Sequence, residues 1–248
     1  MKPHRINILD VPVDCLTMPQ ALACVDDIIA GGWGGQEPEL VIAVNPEKVV
    51  SVRRERGLLP VLSQAGLLIP DGAGLVFGAR LLGARGIERV AGSDLMQAIC
   101  ERATARGYRL FLFGAAPDVN QRAVDVLRRR HPGIQIVGHE HGYVAEAHMP
   151  DLIERINRSR ADVLFVALGS PRQERWMARY RHQLRVKLCQ GVGGTFDILA
   201  GRVKRAPRSF RMIHLEWFYR LLVQPSRILR QTALAQFALW VLWKRVIG

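Results

Sequence analysis

Short apolar runs rich in branched residues recur along the first 190 or so positions, and between them apolar residues fall three and four apart. The runs Leu40–Val44, Gly66–Ile69, Tyr108–Phe113, Ile134–Val137, Asp162–Leu168 and Val186–Gly191 are too short for helices and carry no polar alternation, so they read as buried strands of the parallel type. Arg5–Val13 reads as one further short strand. Helical spacing is found over Pro19–Ala30 behind a Thr17 cap and over Glu47–Gln64 with a break near Gly57–Pro60. It recurs over Ala73–Leu82, from a Ser93 cap to Arg106, and over Asp118–Arg130, Pro150–Ser159 and Pro171–His182. Strands and helices in this alternation predict right-handed βαβ units. The fold class is α/β, a Rossmann-like parallel sheet flanked by helices.

The pattern changes at Ala200. Gly201–Ser209 is basic and interrupted by proline, and two helices follow, Phe210–Leu222 and Ser226–Ile247, separated by Gln224-Pro225. This predicts an α/β core over 1–200 and a basic, apolar helical appendage over 201–248. Thr232–Trp243 is almost wholly apolar but shorter than the roughly 20 residues that cross a bilayer. Trp240 and Trp243 beside Lys244 and Arg245 suit a helix lying at a membrane interface, the alternative being an ordinary helix with its tryptophans in the core.

Charge sharpens that division. The formal net charge is +13, and residues 201–248 hold ten Lys and Arg against Glu216 alone, so +9 of it falls in the appendage. A nucleic-acid-binding protein would bring base-stacking aromatics or a known motif among its basic residues, whereas here the C-terminal aromatics sit in apolar helical runs. Cys15, Cys24, Cys100 and Cys189 are scattered without Cys-x-x-Cys or Cys/His clustering, which suggests reduced thiols and neither zinc nor a disulfide framework. Asp10 and Asp14 interrupt the stretch that a signal peptide would need to be apolar, so export is not expected.

Candidate chemistry gathers just after strands. Ile69-Pro70-Asp71-Gly72-Ala73-Gly74 delivers a carboxylate to a glycine-rich strand exit, although an aspartate there can also serve merely to cap the next helix. Asn45-Pro46-Glu47, Gly169-Ser170-Pro171-Arg172-Gln173-Glu174 and Gly191-Val192-Gly193-Gly194-Thr195-Phe196-Asp197 stand at three more exits. In a parallel sheet all four meet at one edge. Backbone amides at Gly169, Gly191 and Gly193 suit phosphates, and amides and carboxylates suit hydroxyls, so a nucleotide or sugar-phosphate cleft is expected there.

The blocks NPEKVV, PDGAGLV, RVAGSDL, LFLFG, ALGSPRQERW, GVGGTFDILAG, KRAP and LEWFYRLLVQPSRILR, in this order, resemble the WecG/TagA/CpsF glycosyltransferases, glycosyltransferase family 26, over nearly the whole chain. The resemblance implies transfer of a sugar from a UDP-sugar to a polyprenyl-diphosphate-linked sugar. It also implies inversion, no metal and no cofactor, with the enzyme bound peripherally at the cytoplasmic face of the membrane. By position, Asp71 matches the general base, Asn45 and Gln173 line the acceptor and donor cleft, and Arg89 is a functionally important arginine. Arg220, Arg227 and Arg230 match basic residues of an appendage that docks on the membrane and closes over the site. Where several relatives have Thr two positions before the Asn, this chain has Ala43. Nucleic acid is not an expected partner, and a second copy of the chain is left open.

The residues agree with that chemistry. An inverting transfer needs one carboxylate to deprotonate the attacking hydroxyl and amide or cationic donors for the departing diphosphate. No Asp-x-Asp pair occurs to hold Mg²⁺ on a diphosphate. The rival reading, a nucleotide-cofactor oxidoreductase, would rest on Gly191-Val192-Gly193-Gly194. That stretch lacks the last glycine of the dinucleotide fingerprint and follows the last strand, not the first.

Overall fold

The computed structural model describes residues 2–55, 57–203 and 228–247, and of the last stretch the side chains of 232–246. The chain opens with β1 (His4–Ile8) and β2 (Val11–Cys15), which pair antiparallel where the pattern predicts a single strand. Leu9 and Asp10 both take positive φ, 51° and 68°, and this left-handed pair turns the chain back on itself. Asp14 is fully buried and accepts from Arg5 Nε at 2.6 Å, Arg5 Nη2 at 2.9 Å and the Leu68 N–H at 2.7 Å. The hairpin is thereby fastened to the edge of the main sheet.

In chain order there follow α1 (Met18–Ile29), β3 (Glu39–Val44), α2 (Pro46–Arg54), α3 (Leu58–Ser63), β4 (Leu67–Pro70), α4 (Ala73–Leu81) and α5 (Gly92–Arg106). Then come β5 (Arg109–Gly114), α6 (Pro117–Arg130), β6 (Gln135–Glu140), α7 (Met149–Arg158), β7 (Val163–Ala167), α8 (Arg172–Tyr180), β8 (Leu188–Gly191), α9 (Thr195–Leu199) and α10 (Ile228–Ile247). β3 to β8 form one six-stranded sheet of order β4-β3-β8-β7-β5-β6, every pair parallel, as the alternation of runs predicts. Successive side chains go to opposite faces: Leu40, Ile42 and Val44 join a core with α2, α3, α7 and α8, while Val41, Leu67 and Ile69 join one with α1, α5, α6 and α9.

Two local expectations are corrected. Ser93 does not cap α5: the helix already begins at Gly92, with Ala91 in the cap position, and the Gly92 N–H reaches Asp71 Oδ2 at 3.4 Å. Thr195-Phe196-Asp197, read as the end of a glycine-rich strand exit, are the first residues of the short helix α9.

The terminal helix lies against α2 and α4. Ala233, Phe237 and Val241, one turn apart, are its buried side. α4 makes room with glycine: a Cβ on Gly78 would stand 2.8 Å from the Phe237 ring, and one on Gly74 would stand 3.0 Å from Leu234. The Arg53 guanidinium sits 4.6 Å from the centre of the Trp240 ring, and Arg54 donates to Gln236 at 2.9 Å. Leu239, Leu242, Trp243 and Val246 occupy the opposite side and are 54–84% exposed. The two tryptophans therefore part company, Trp240 packing inward and Trp243 facing out. Among the described residues no helix is long and apolar enough to cross a membrane.

Phe237 is 2% exposed and fills the glycine notch of α4, so Phe237→Ala should lower unfolding free energy by about 3–5 kcal/mol. Denaturant titration followed by tryptophan fluorescence measures this.

Candidate active site

Because every strand of the sheet runs the same way, Asn45, Asp71, Gly169 and Gly193 leave it at one edge. The Asp71 N–H donates to the Val44 carbonyl at 2.7 Å, tying the exit of β4 to the end of β3. The Val90 N–H donates to the Pro70 carbonyl at 2.8 Å and lays the Arg89 segment on the same end. Arg89 itself is half-buried in the connection between α4 and α5.

Asp71 is not a helix cap. That position before α4 belongs to Gly72 at φ 96°, and no side chain caps the helix. The carboxylate turns instead toward the amino end of α5, where the Gly92 N–H reaches Oδ2 at 3.4 Å, an arrangement the helix dipole favours. A methyl placed on Gly92 would lie 3.4 Å from Ala43 Cβ, 4.0 Å from Asp71 Oδ2 and 4.0 Å from the Gly191 carbonyl. Ala43, Asp71, Gly92 and Gly191 thus surround one small space, half-open at Asp71.

Two expected cleft residues turn out to have framework duties. Asn45 Oδ1 accepts the Lys48 N–H at 2.8 Å and caps α2. Gln173, 5% exposed, accepts the Gly193 N–H on Oε1 at 2.9 Å and donates from Nε2 to Glu174 Oε1 at 3.1 Å, bracing the turn after β8. The same Glu174 oxygen takes Lys48 Nζ at 2.5 Å. Gln190, fully buried, donates to the Gly92 carbonyl at 2.9 Å and so steadies the loop that meets Asp71. Sequence reasoning missed Lys48, Glu174, Gln190 and Gly92, though all lie inside or beside blocks it singled out. Gly169 and Gly193 take φ of 77° and 54°, where glycine costs least. Arg220 and Arg227 lie outside the described residues. Arg230 lies near the start of α10, and its side chain falls outside them as well.

A second feature lies further along the edge. From β7 the chain proceeds to β8 on one side, and from β5 to β6 on the other, so the exits of β5 and β7 flank a topological switch point. A Cβ on Gly114 would stand 2.4 Å from the Ala167 carbonyl oxygen, which is why glycine ends β5. Buried Asn120 donates to the carbonyls of Gly114 and Glu140, each at 2.9 Å, and pairs with His139 Nδ1 at 2.9 Å. Beyond this brace a cavity of about 420 Å³ opens between Glu140, His141, Tyr143, Val144, His148 and Arg155. Burial pushes the Glu140 carboxyl up, but hydrogen bonds from Arg155 and the His141 N–H outweigh it and hold it below its ordinary value. Five strand spacings, roughly 24 Å, separate the exits of β4 and β6, so the cavity and Asp71 stand at opposite ends of one ledge. Among the described residues, no three His, Cys, Asp or Glu side chains gather as a metal ion would require.

Fold and site together define the open α/β class, in which ligands are bound at the carboxyl ends of parallel strands. Comparison with known proteins makes the class specific: residues 6–248 match the Glycosyl transferase WecG/TagA/CpsF family, and the chain belongs to that family as a hexosyltransferase of this type. It is 37% identical over 203 residues to the N-acetylglucosaminyldiphosphoundecaprenol N-acetyl-beta-D-mannosaminyltransferase of Bacillus subtilis strain 168, covering 82% of this chain and 78% of that one. The protein of the same description from Bacillus spizizenii strain W23 is 37% identical over 202 residues, with the same coverage.

A methyl on Gly191 would come within 2.6 Å of Gln173 Nε2 and displace it from its brace. Gly191→Ala should lower sugar-transfer turnover about 10- to 100-fold, the scale of a small misplacement, and lower the melting temperature by roughly 2–4 °C as buried Gln173 gives up a hydrogen bond. Initial rates and thermal denaturation on the same preparation check both halves.

Proposed function

We propose that this enzyme moves an N-acetylhexosaminyl group from a UDP-sugar to a polyprenyl-diphosphate-linked sugar, with inversion and without a divalent metal, at the cytoplasmic face of the membrane. The observation that carries the reading is Asp71: a carboxylate at a strand exit, turned away from α4 toward the amino end of α5 and bordering a small space between Ala43, Gly92 and Gly191. In the reaction Asp71 takes the proton of the attacking acceptor hydroxyl. The new C–O bond forms at the anomeric carbon as the bond to the diphosphate breaks, and the electron pair leaves with UDP. The relatives' names record an N-acetyl-beta-D-mannosaminyl transfer, the product that inversion of an α-linked nucleotide sugar would give. The ledge suits an elongated donor, with its sugar near Asp71 and its nucleotide toward the switch point between β5 and β7. Ala43 presents a methyl to this space, so that position offers the sugar no hydroxyl.

A peripheral membrane role is supported by the outer stripe of α10, Leu239, Leu242, Trp243 and Val246, beside Lys244 and Arg245. Basic residues near an anionic surface add about 1 kcal/mol each to such apolar insertion. An appendage held at the membrane would meet the lipid-linked acceptor where it resides, and its arginines would neutralise the departing UDP.

Asp71→Asn should bind UDP as the unaltered enzyme does and turn over roughly 100- to 10,000-fold more slowly, the range for loss of a general base. Retention of half the turnover would refute the role. Activity should persist in excess EDTA, and a loss restored by Mg²⁺ or Mn²⁺ would overturn the metal-free reading. Leu242→Glu with Trp243→Glu changes exposed positions only. The pair should leave the melting temperature in place and abolish co-sedimentation with phosphatidylglycerol vesicles, whereas undiminished sedimentation would move the membrane contact elsewhere.

A further inference from the structure

Lys48 and Glu174 are 8% and 1% exposed, yet both are charged residue types, and their side chains meet at 2.5 Å. Removing two charges from water costs more than one close contact returns unless the remaining polar atoms are also satisfied. They are not: Glu174 Oε2 is buried without a hydrogen-bond partner among the described residues. A pair serving stability alone would be matched or bettered by two apolar side chains of the same volume. Its position offers another reason for it.

Lys48 belongs to α2, which starts at Asn45, and Glu174 to α8, which starts just after Gly169. β8 lies between the strands that precede these helices. Lys48 holds Asn45 through its backbone N–H and Glu174 through its ammonium. Glu174 Oε1 in turn accepts from Gln173 Nε2, which fixes the orientation of that amide. With its N–H₂ drawn to the carboxylate, Gln173 must present Oε1 to the Gly193 N–H, as it does at 2.9 Å. Turned over, the amide would set an N–H₂ against that N–H.

We infer that the buried Lys48–Glu174 ion pair is a positioning device for the sugar-transfer site, holding Asn45 at the exit of β3 in register with Gln173 and the Gly191–Gly193 turn at the exit of β8. Neither residue touches substrate. They act through Asn45, Gln173 and the direction of the Gly193 N–H. The inference rests on the reading of this edge as the active site, but the register it describes is a property of the unliganded protein.

The test separates stability from register. In Lys48→Met with Glu174→Leu, the charges are removed together and replaced by apolar side chains, so the melting temperature should stay close to that of the unaltered protein. Turnover should nevertheless fall about 100-fold, and the Gly193 amide, read by hydrogen exchange, should lose protection at least tenfold. Lys48→Met with Glu174→Gln also removes both charges and keeps the shape of the Glu174 site should the first double variant fail to fold, and without the ammonium the new amide no longer fixes which way Gln173 is turned. This second variant also should lower turnover, and it should expose the Gly193 amide. Full turnover in either folded variant, or unchanged Gly193 protection, would overturn the inference and leave the pair as packing. If the unaltered protein transfers no sugar at all, the functional reading fails while the Gly193 measurement still decides the role of the pair.

Discussion

The structure depends on the placing of one strand. β8, the last strand of the sheet in sequence, is inserted between β3 and β7, and through it alone the β4–β3 pair is joined by strand pairing to the β7–β5–β6 group. Without β8 the exits that carry Asn45 and Asp71 have no fixed relation to the one that carries Gly169. Three of its four residues, Leu188, Cys189 and Gln190, are fully buried, and its register to both neighbours is parallel. Parallel pairing between segments so distant in sequence is a late and slow event in folding.

Most of the architecture was legible because burial on both faces leaves a plain mark: a continuous apolar run of strand length with helical spacing on either side. The hairpin was not. Val11, Pro12 and Val13 continue the apolar character of the preceding segment, and the turn between them is made by Leu9 and Asp10, of which only Asp10 is a residue type enriched in the left-handed region. Ser93 misled for a related reason. It has the chemistry of a cap, but the helix starts one residue before it, where the Gly92 N–H reaches the Asp71 carboxylate, a contact that no local pattern records.

The site divides in the same way. The four strand exits follow from the direction of the strands, and Asp71 could be singled out because Pro and Gly enclose it. The buried framework behind them could not be read, since a lysine and a glutamate 126 positions apart look like two surface charges until the fold sets them together. Asn45 and Gln173 illustrate the converse. They were chosen as groups facing a substrate, and the structure shows how much of their hydrogen-bonding capacity is already committed to holding the edge in shape. Positions of this kind can be intolerant of change whether or not a ligand meets them.

The notch in α4 bears on how the chain can be cut. Gly74 and Gly78 offer no side chain of their own, so the surface they share with α2 is completed by Leu234, Phe237 and Val241 from the far end of the sequence. A shortened chain would keep its sheet but open a bare apolar trench along α2 and α4, the kind of surface that chaperones retain and that drives self-association at high expression. Loss of the last 20 residues by proteolysis would thus have an effect before any on chemistry: it would mark the molecule as unfinished.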